Sequence, residues 1–204
     1  MASRIIGISG VAGSGKDLFY SLLKEHINCE RFSLVDEIKS EMRDFIFKNY
    51  SIDILNCSWH EKNSVRSYLV AHGMSKRGRT KGRFWIDKLE PQVKERIFNH
   101  YCVENKSEDL YPVITDIRFD KYDQDEVFWL KEQMGGILVH ISLFEMQNGQ
   151  RVFKQPANED EASQNPSLIE KADYLIEWEK VKGGIGETKK ILQPVMKDFV
   201  KFLK

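Results

Sequence analysis

The chain has 204 residues, 41% of them hydrophobic and 30% charged, and its 31 Lys plus Arg balance 31 Asp plus Glu. That length suits one well-buried core and excludes two large domains, while zero formal charge excludes a global field that would draw the chain to nucleic acid or to a membrane surface. Cys29, Cys57 and Cys102 are odd in number and far apart with no C-x-x-C pair, which excludes a disulfide framework and argues for reduced thiols rather than structural zinc.

The first predicted strand, Ile5-Ile6-Gly7-Ile8, begins within a few residues of Met1. No signal-peptide pattern precedes it and no apolar run in the chain is long enough to span a bilayer. A soluble cytoplasmic protein is therefore expected, in the host cytoplasm if the source is viral. The strand leads into Gly10-Val11-Ala12-Gly13-Ser14-Gly15-Lys16-Asp17. This run fits the phosphate-binding loop G-x-x-x-x-G-K-[ST] everywhere but at its last position, where a carboxylate replaces the hydroxyl. Glycines at 10, 13 and 15 let the backbone adopt positive φ and turn its N–H groups onto phosphate oxygens at a helix N-terminus. Lys16 then supplies the mobile charge for the β and γ phosphates of a nucleoside triphosphate. Asp17 offers a hard oxygen to Mg²⁺, directly or through water, or else serves as a favourable anion in the first helical turn.

Leu18, Phe19, Leu22 and Leu23 share one face of a helix predicted over 16 to 27. Phe32-Ser33-Leu34-Val35 reads as a strand ending at Asp36, followed by a helix from about 37 to 49. From about 50 to 108 the chain reads as a helical insertion, with helices near 63 to 72 and 84 to 101 flanking the basic run Lys76-Arg77-Gly78-Arg79-Thr80-Lys81-Gly82-Arg83. That run is either a grip for phosphate or a solvated loop. Trp85 beside it either stacks on a base or begins a core helix. Arg66 opens a helix and is a candidate phosphate contact.

Tyr111 to Asp116 is a strand ending in a carboxylate, positioned to hold magnesium through water or to cap a turn. Arg118 follows, its planar fork suited to clamping phosphate. A helix from about 121 to 134 should stop at Gly135-Gly136, and Ile137 to Leu143 is the clearest strand, apolar enough to be covered on both faces. Residues 145 to 166, polar and with Gly149, Pro156 and Pro166, read as a long loop or short helices forming a lid in which Arg151 and Lys154 are the cations. Tyr174-Leu175-Ile176 is the last strand, and the apolar face of the final helix, ending at Leu203, should dock on the sheet. Alternating strands and helices behind a phosphate loop predict an α/β fold of three layers, a parallel sheet with helices on both faces and ligands at the carboxyl ends of its strands.

These features together resemble the bacteriophage-type deoxynucleoside monophosphate kinases. The likeness runs through Ser9 to Asp17 with its Lys-Asp ending, Phe32 to Lys39, Arg66 to Gly73 followed by arginines and Phe84-Trp85, Ile114 to Phe119, and Met134-Gly135-Gly136. The resemblance implies a single P-loop kinase domain over 1–204, with an acceptor-binding insertion at about 50–108 and a lid at about 145–166. It implies ATP with Mg²⁺ as donor and a deoxynucleoside monophosphate as acceptor. Gly10, Ala12, Gly13, Ser14, Gly15, Lys16 and Asp17 would hold ATP. Asp36, Lys39, Arg66, Arg77, Arg79, Arg83, Trp85, Asp116 and Arg118 would surround the acceptor. Lys16, Arg118 and Arg151 would act on the transferring group, and Asp17 and Asp116 would serve the metal. No membrane or polynucleotide partner is implied, and a homodimer is left open. The lid departs from the family in lacking an arginine-rich character. Two other readings stand beside this one. The first is a kinase for another small phosphate, similar to animal phosphomevalonate kinases, which also place aspartate after the lysine. The second is a polynucleotide-binding ATPase using residues 76 to 83.

Overall fold

The computed structural model describes residues 4–180 and 184–203, so the two ends of the expected 1–204 domain and residues 181–183 lie outside the described residues. β1 (Ile6–Ser9) is buried along its whole length and lies parallel between β3 (Tyr111–Ile114) and β4 (Ile137–Gln147). β2 (Cys29–Phe32) joins β3 in parallel, and β6 (Tyr174–Glu179) joins β4 in parallel. Since β1 and β6 both pair with Val139 and His140, they flank β4 on opposite sides. The parallel order is thus β2-β3-β1-β4-β6, and the ends of these strands define one carboxyl edge.

Helices cover both faces, as the apolar character of the central strands requires. On one face α1 (Lys16–Leu23) and α8 (Gly184–Leu203) bury Phe19, Leu22, Leu192, Met196 and Phe199 against Ile6, Ile8 and Val139. On the other, α5 (Arg83–Phe98) and α6 (Glu126–Phe128), continued by a π-helical turn at Trp129–Gln133, bury Trp85, Ile86, Leu89, Trp129 and Leu130 against Ile114 and Leu138. The expected three-layer α/β class is what the chain adopts. A smaller cluster of Ile46, Ile54, Val65 and Leu69 joins α2 (Leu34–Tyr50) to α4 (Arg66–Arg79), with the segments on either side of α3 (Trp59–Ser64) supplying Ile54 and Val65. Among the described residues no helix is long and apolar enough to cross a membrane, and the three cysteines are free.

Three local expectations are corrected. The strand expected over 32 to 35 ends at Phe32, because Asp116 takes the Leu34 and Val35 amides at 3.0 and 2.7 Å and starts α2 there. The helix expected from 121 begins only at Glu126, because the Asp125 carboxylate gathers the amides of Lys121, Tyr122 and Glu126 into a turn. The segment expected as a long loop or short helices is more regular: Asn148 and Gly149, both at positive φ, turn β4 into the antiparallel β5 (Gln150–Phe153), and α7 (Glu159–Glu170) follows. Asn-Gly is the strongest short-range hairpin signal, and it outweighs the polar composition.

Candidate active site around the phosphate loop

The phosphate loop leaves β1 at the carboxyl edge and feeds α1. Gly10, Gly13 and Gly15 take φ of 132°, 75° and 97°, a region in which a Cβ is strained. A side chain at Gly10 would also strike the Ile141 carbonyl. The Lys16 amine donates to the carbonyls of Gly10 (2.6 Å) and Val11 (2.9 Å), so it lies across the outer limb of the loop. Burial, and after it the nearby Arg118, brings this amine down to about 8, with Glu161, Asp116 and Asp17 opposing. An amine so placed is held ready for an anion that restores its ordinary basicity.

Two side chains remote in sequence complete the loop. Trp178 of β6 donates its indole N–H to the Ser14 carbonyl at 2.8 Å and packs against Gly15. Glu161, in the first turn of α7, accepts the Ala12 amide at 3.2 Å and lies 3.8 Å from the Arg118 guanidinium. Lys154, after β5, passes over Gly13, where a Cβ would meet its Cε at 2.9 Å. Asp17 is exposed at the start of α1.

Arg118 stands beyond the end of β3. Buried Glu126 accepts its amide and that of Phe119, at 2.6 and 3.1 Å, which fixes the backbone turn. Its Nε is buried with no hydrogen-bond partner, an uncommon condition for a polar atom. The first turn of α2 brings Asp36 to the same edge, where it is bonded by Arg31 and by Lys39 at 2.6 Å. Burial would raise the Asp36 carboxyl, but these two cations outweigh it and hold it low. Lys62 of α3 was not foreseen. Desolvation and then Lys39 depress its amine, as do Arg66 and Arg118, while Asp17 opposes them. Lys39, Arg66 and Arg118 all lie close enough to act on the Lys62 amine, as does Asp17 at the start of α1.

Other expected contacts are drawn elsewhere. Asp116 is 5% exposed, and both its oxygens are occupied, by Ser33 Oγ and the Leu34 and Val35 amides, so it acts as the cap of α2 instead of an open ligand. Arg77 is buried in an ion pair with Asp125 and lies over the Phe119 ring at 4.0 Å, so its charge is neutralised inside the protein. Trp85 is a core residue whose N–H is satisfied by the Gly73 carbonyl at 3.0 Å. Arg83 is tied to Asp87 and Gln133, each at 2.7 Å, on the α5 surface. Arg79 and Lys81 remain exposed at the end of α4 and after it. Arg151 pairs with Glu177 at 2.8 Å and stacks on Phe144, leaving Lys154 as the cation of this segment that meets the loop.

No protein-family model matches the chain, and no curated protein matches it in sequence. Among solved structures it is similar to TT1252 from Thermus thermophilus, with 14% identity over 97% of this chain and 98% of that one and a TM-score of 0.43. It is also similar to the dephospho-CoA kinase from Campylobacter jejuni, with 13% identity over 95% and 98% of the two chains and a TM-score of 0.40. A third is the shikimate kinase from Aquifex aeolicus, with 15% identity over 97% and 98% and a TM-score of 0.38. The strand order places the phosphate loop directly after the central strand of the mostly parallel sheet.

Among the described residues no cluster of three or more His, Cys, Asp or Glu side chains stands ready to hold a metal. Magnesium suits the site in another way, because it keeps most of its waters and takes one or two carboxylates together with substrate phosphates. Exposed Asp17 beside Lys16 fits that role, and the capping role of Asp116 limits it to a contact through water. Sequence reasoning missed Glu161, Trp178, Lys62 and Glu126. None belongs to a local motif, and their signal lies only in tertiary contact.

Proposed function

We propose that the protein transfers the γ-phosphoryl group of ATP to a deoxynucleoside monophosphate, giving two diphosphates. The observation that supports this best is the place of Arg118, its Nε unpartnered, 3.8 Å from the Glu161 carboxylate that is itself bonded to the phosphate loop at Ala12. Such an arrangement suits two anionic substrates that meet at one guanidinium. The loop would hold the donor, with the amides at the start of α1 on its inner phosphates and Lys16 following the charge of the breaking bond. Magnesium, when bound at Asp17 and the donor phosphates, supplies charge neutralisation.

The acceptor phosphate would lie against Lys39, Lys62, Arg66 and Arg118. It is largely deprotonated at neutral pH, so its oxygen attacks without a general base. The new P–O bond forms as the bond from the γ-phosphorus to the bridging oxygen breaks, and the electron pair stays on ADP. A cavity of about 260 Å³ between α4, the turn after Arg118 and α7 offers a seat for the base. Met74, Phe119, Tyr122 and Gln164 line it beside the charged Arg77, Lys121 and Asp160, so a planar heterocycle would meet rings, a thioether, an amide and ionic groups at its edge. An acceptor without a base, such as phosphomevalonate, would leave that cavity unused. Of the basic run, the exposed Arg79 and Lys81 are what a polynucleotide would meet, since Arg77 and Arg83 are paired within the protein.

A panel of deoxynucleoside monophosphates incubated with ATP and the purified protein tests the reading. ADP should form with at least one of them, and Lys16→Ala should abolish the reaction. Turnover of phosphomevalonate or of a polynucleotide end, with every monophosphate inert, would overturn it.

A further inference from the structure

We propose that Glu161 is a specificity-determining residue that takes the place of the donor's terminal phosphoryl group on the loop, so that a triphosphate must displace it and a diphosphate need not. This rests on the donor reading given above.

An acid in the first turn of a helix ordinarily serves that helix's own N-terminus. Glu159 and Asp160 are also acidic first-turn residues of α7, and the helix is capped by Asn158, whose side chain accepts the Glu161 amide at 2.9 Å. The Glu161 side chain serves its own helix in part, at Ala157 just before the cap, and also reaches beyond the helix to the phosphate loop. Its Oε2 accepts the Ala12 amide at 3.2 Å and the Ala157 amide at 2.9 Å, and its Oε1 faces Arg118 Nη1 at 3.8 Å. The side chain is only 13% exposed. Glu161 also acts on the Lys16 amine, where it is the strongest of the carboxylates opposing burial and Arg118. One carboxylate therefore bonds a loop amide, lies beside the arginine of the site and acts electrostatically on the loop lysine, the three kinds of group that a phosphoryl group would engage.

The place of this carboxylate along the loop determines which phosphate it replaces. Inner phosphates belong over the amides at the start of α1, from Lys16 onward. Ala12 lies on the other limb, the one whose Gly10 and Val11 carbonyls hold the Lys16 amine. A phosphoryl group there is the outermost one. It cannot share the Ala12 amide with a carboxylate of like charge, so donor binding and the Glu161 contact exclude one another. Once the phosphoryl group has left for the acceptor, the carboxylate is free to return and to restore the charge balance of Lys16 and Arg118.

The test compares wild type with Glu161→Gln by calorimetric titration with the magnesium complexes of non-hydrolysable AMP-PNP and of ADP. The amide keeps an acceptor oxygen for Ala157 and Ala12 but carries no charge, so it competes more weakly with a phosphoryl group. AMP-PNP should bind the variant about 5- to 20-fold more tightly, the size of one lost charge-assisted competitor, and ADP affinity should change less than about 2-fold. Hydrogen exchange on the wild type gives an independent readout. AMP-PNP should speed exchange at the Ala157 amide, and ADP should leave it slow. Equal tightening of both nucleotides, no change, or weaker AMP-PNP binding would overturn the proposal. If neither nucleotide binds either protein, the nucleotide reading itself fails and takes this inference with it.

Discussion

The indole of Trp178, on β6, is bonded to the carbonyl of Ser14 in the phosphate loop at 2.8 Å, across 164 residues of chain. Its ring fills the space beside Gly15, where a Cβ would lie 2.3 Å from a ring carbon. One side chain thus sets both the orientation of a loop peptide and the requirement for glycine next to it. Trp178→Phe keeps the ring and removes the donor, leaving a buried carbonyl unpaired at a cost of about 1 to 3 kcal/mol. The melting temperature should fall by roughly 2 to 10 °C. ATP affinity should weaken by about 5- to 10-fold, as a loosened loop loses its preorganisation. An unchanged affinity in titration would show that the loop holds its shape without this bond.

Arg77 and Arg66 look alike in the sequence, yet the fold uses them differently. Arg66 opens α4 half-buried at the carboxyl edge, whereas Arg77, three turns on, is buried against Asp125 and Phe119. Arg77→Met leaves the Asp125 charge buried without its partner and should cost about 3 to 5 kcal/mol in a denaturant melt. Arg79→Ala, two residues away and exposed, should cost less than about 0.5 kcal/mol. Equal, small effects would mean that Arg77 is not the internal counter-ion its burial indicates.

This contrast marks how far the sequence could be read. The loop from Gly10 to Asp17 was legible because the phosphate-binding pattern is local: glycines, lysine and the adjoining strand and helix lie within twenty residues. The parallel sheet was legible for a similar reason, through the apolar runs at Ile5 to Ile8 and Ile137 to Leu143. β2 was not, because Cys29-Glu30-Arg31-Phe32 is an edge strand that needs no apolar alternation, and the apolar Leu34 and Val35 were drawn into α2 by a carboxylate 81 residues away. Glu161 and Trp178 reach the loop only through the path of β4, β5 and β6. A charge or a ring in the sequence carries no sign of that journey.

Arg118→Ala separates binding from transfer. If the guanidinium meets the acceptor and the transferring group, turnover should fall by about 100- to 1000-fold. ATP affinity should stay within about 3-fold, because the loop amides and Lys16 remain. Arg118→Lys should recover little of the loss, since a point charge does not reproduce the planar fork. Steady-state kinetics alongside ATP titration reads all three. Loss of ATP affinity in proportion to turnover would move Arg118 to the donor side.

Glu126 makes stability depend on pH in a direction opposite to that of most carboxylates. It is fully enclosed beside Asp125, and burial pushes its carboxyl up to about 8 from the usual 4.5, with Arg77 as the first group opposing that rise. Between those two values the folded protein holds a proton that the unfolded chain releases. The stability this group confers is therefore complete below about 4.5, diminishes as the pH climbs, and is gone once it passes about 8. Glu126→Gln keeps an acceptor for the Arg118 and Phe119 amides and cannot ionise. Its melting temperature should change less between pH 5 and pH 8 than that of wild type, and the variant should be the more stable of the two at the upper end. Parallel curves would mean that Glu126 is already ionised in the fold, held so by Arg77 and the two amides. The same measurement bears on the site, because the two amides Glu126 accepts fix the turn that aims Arg118.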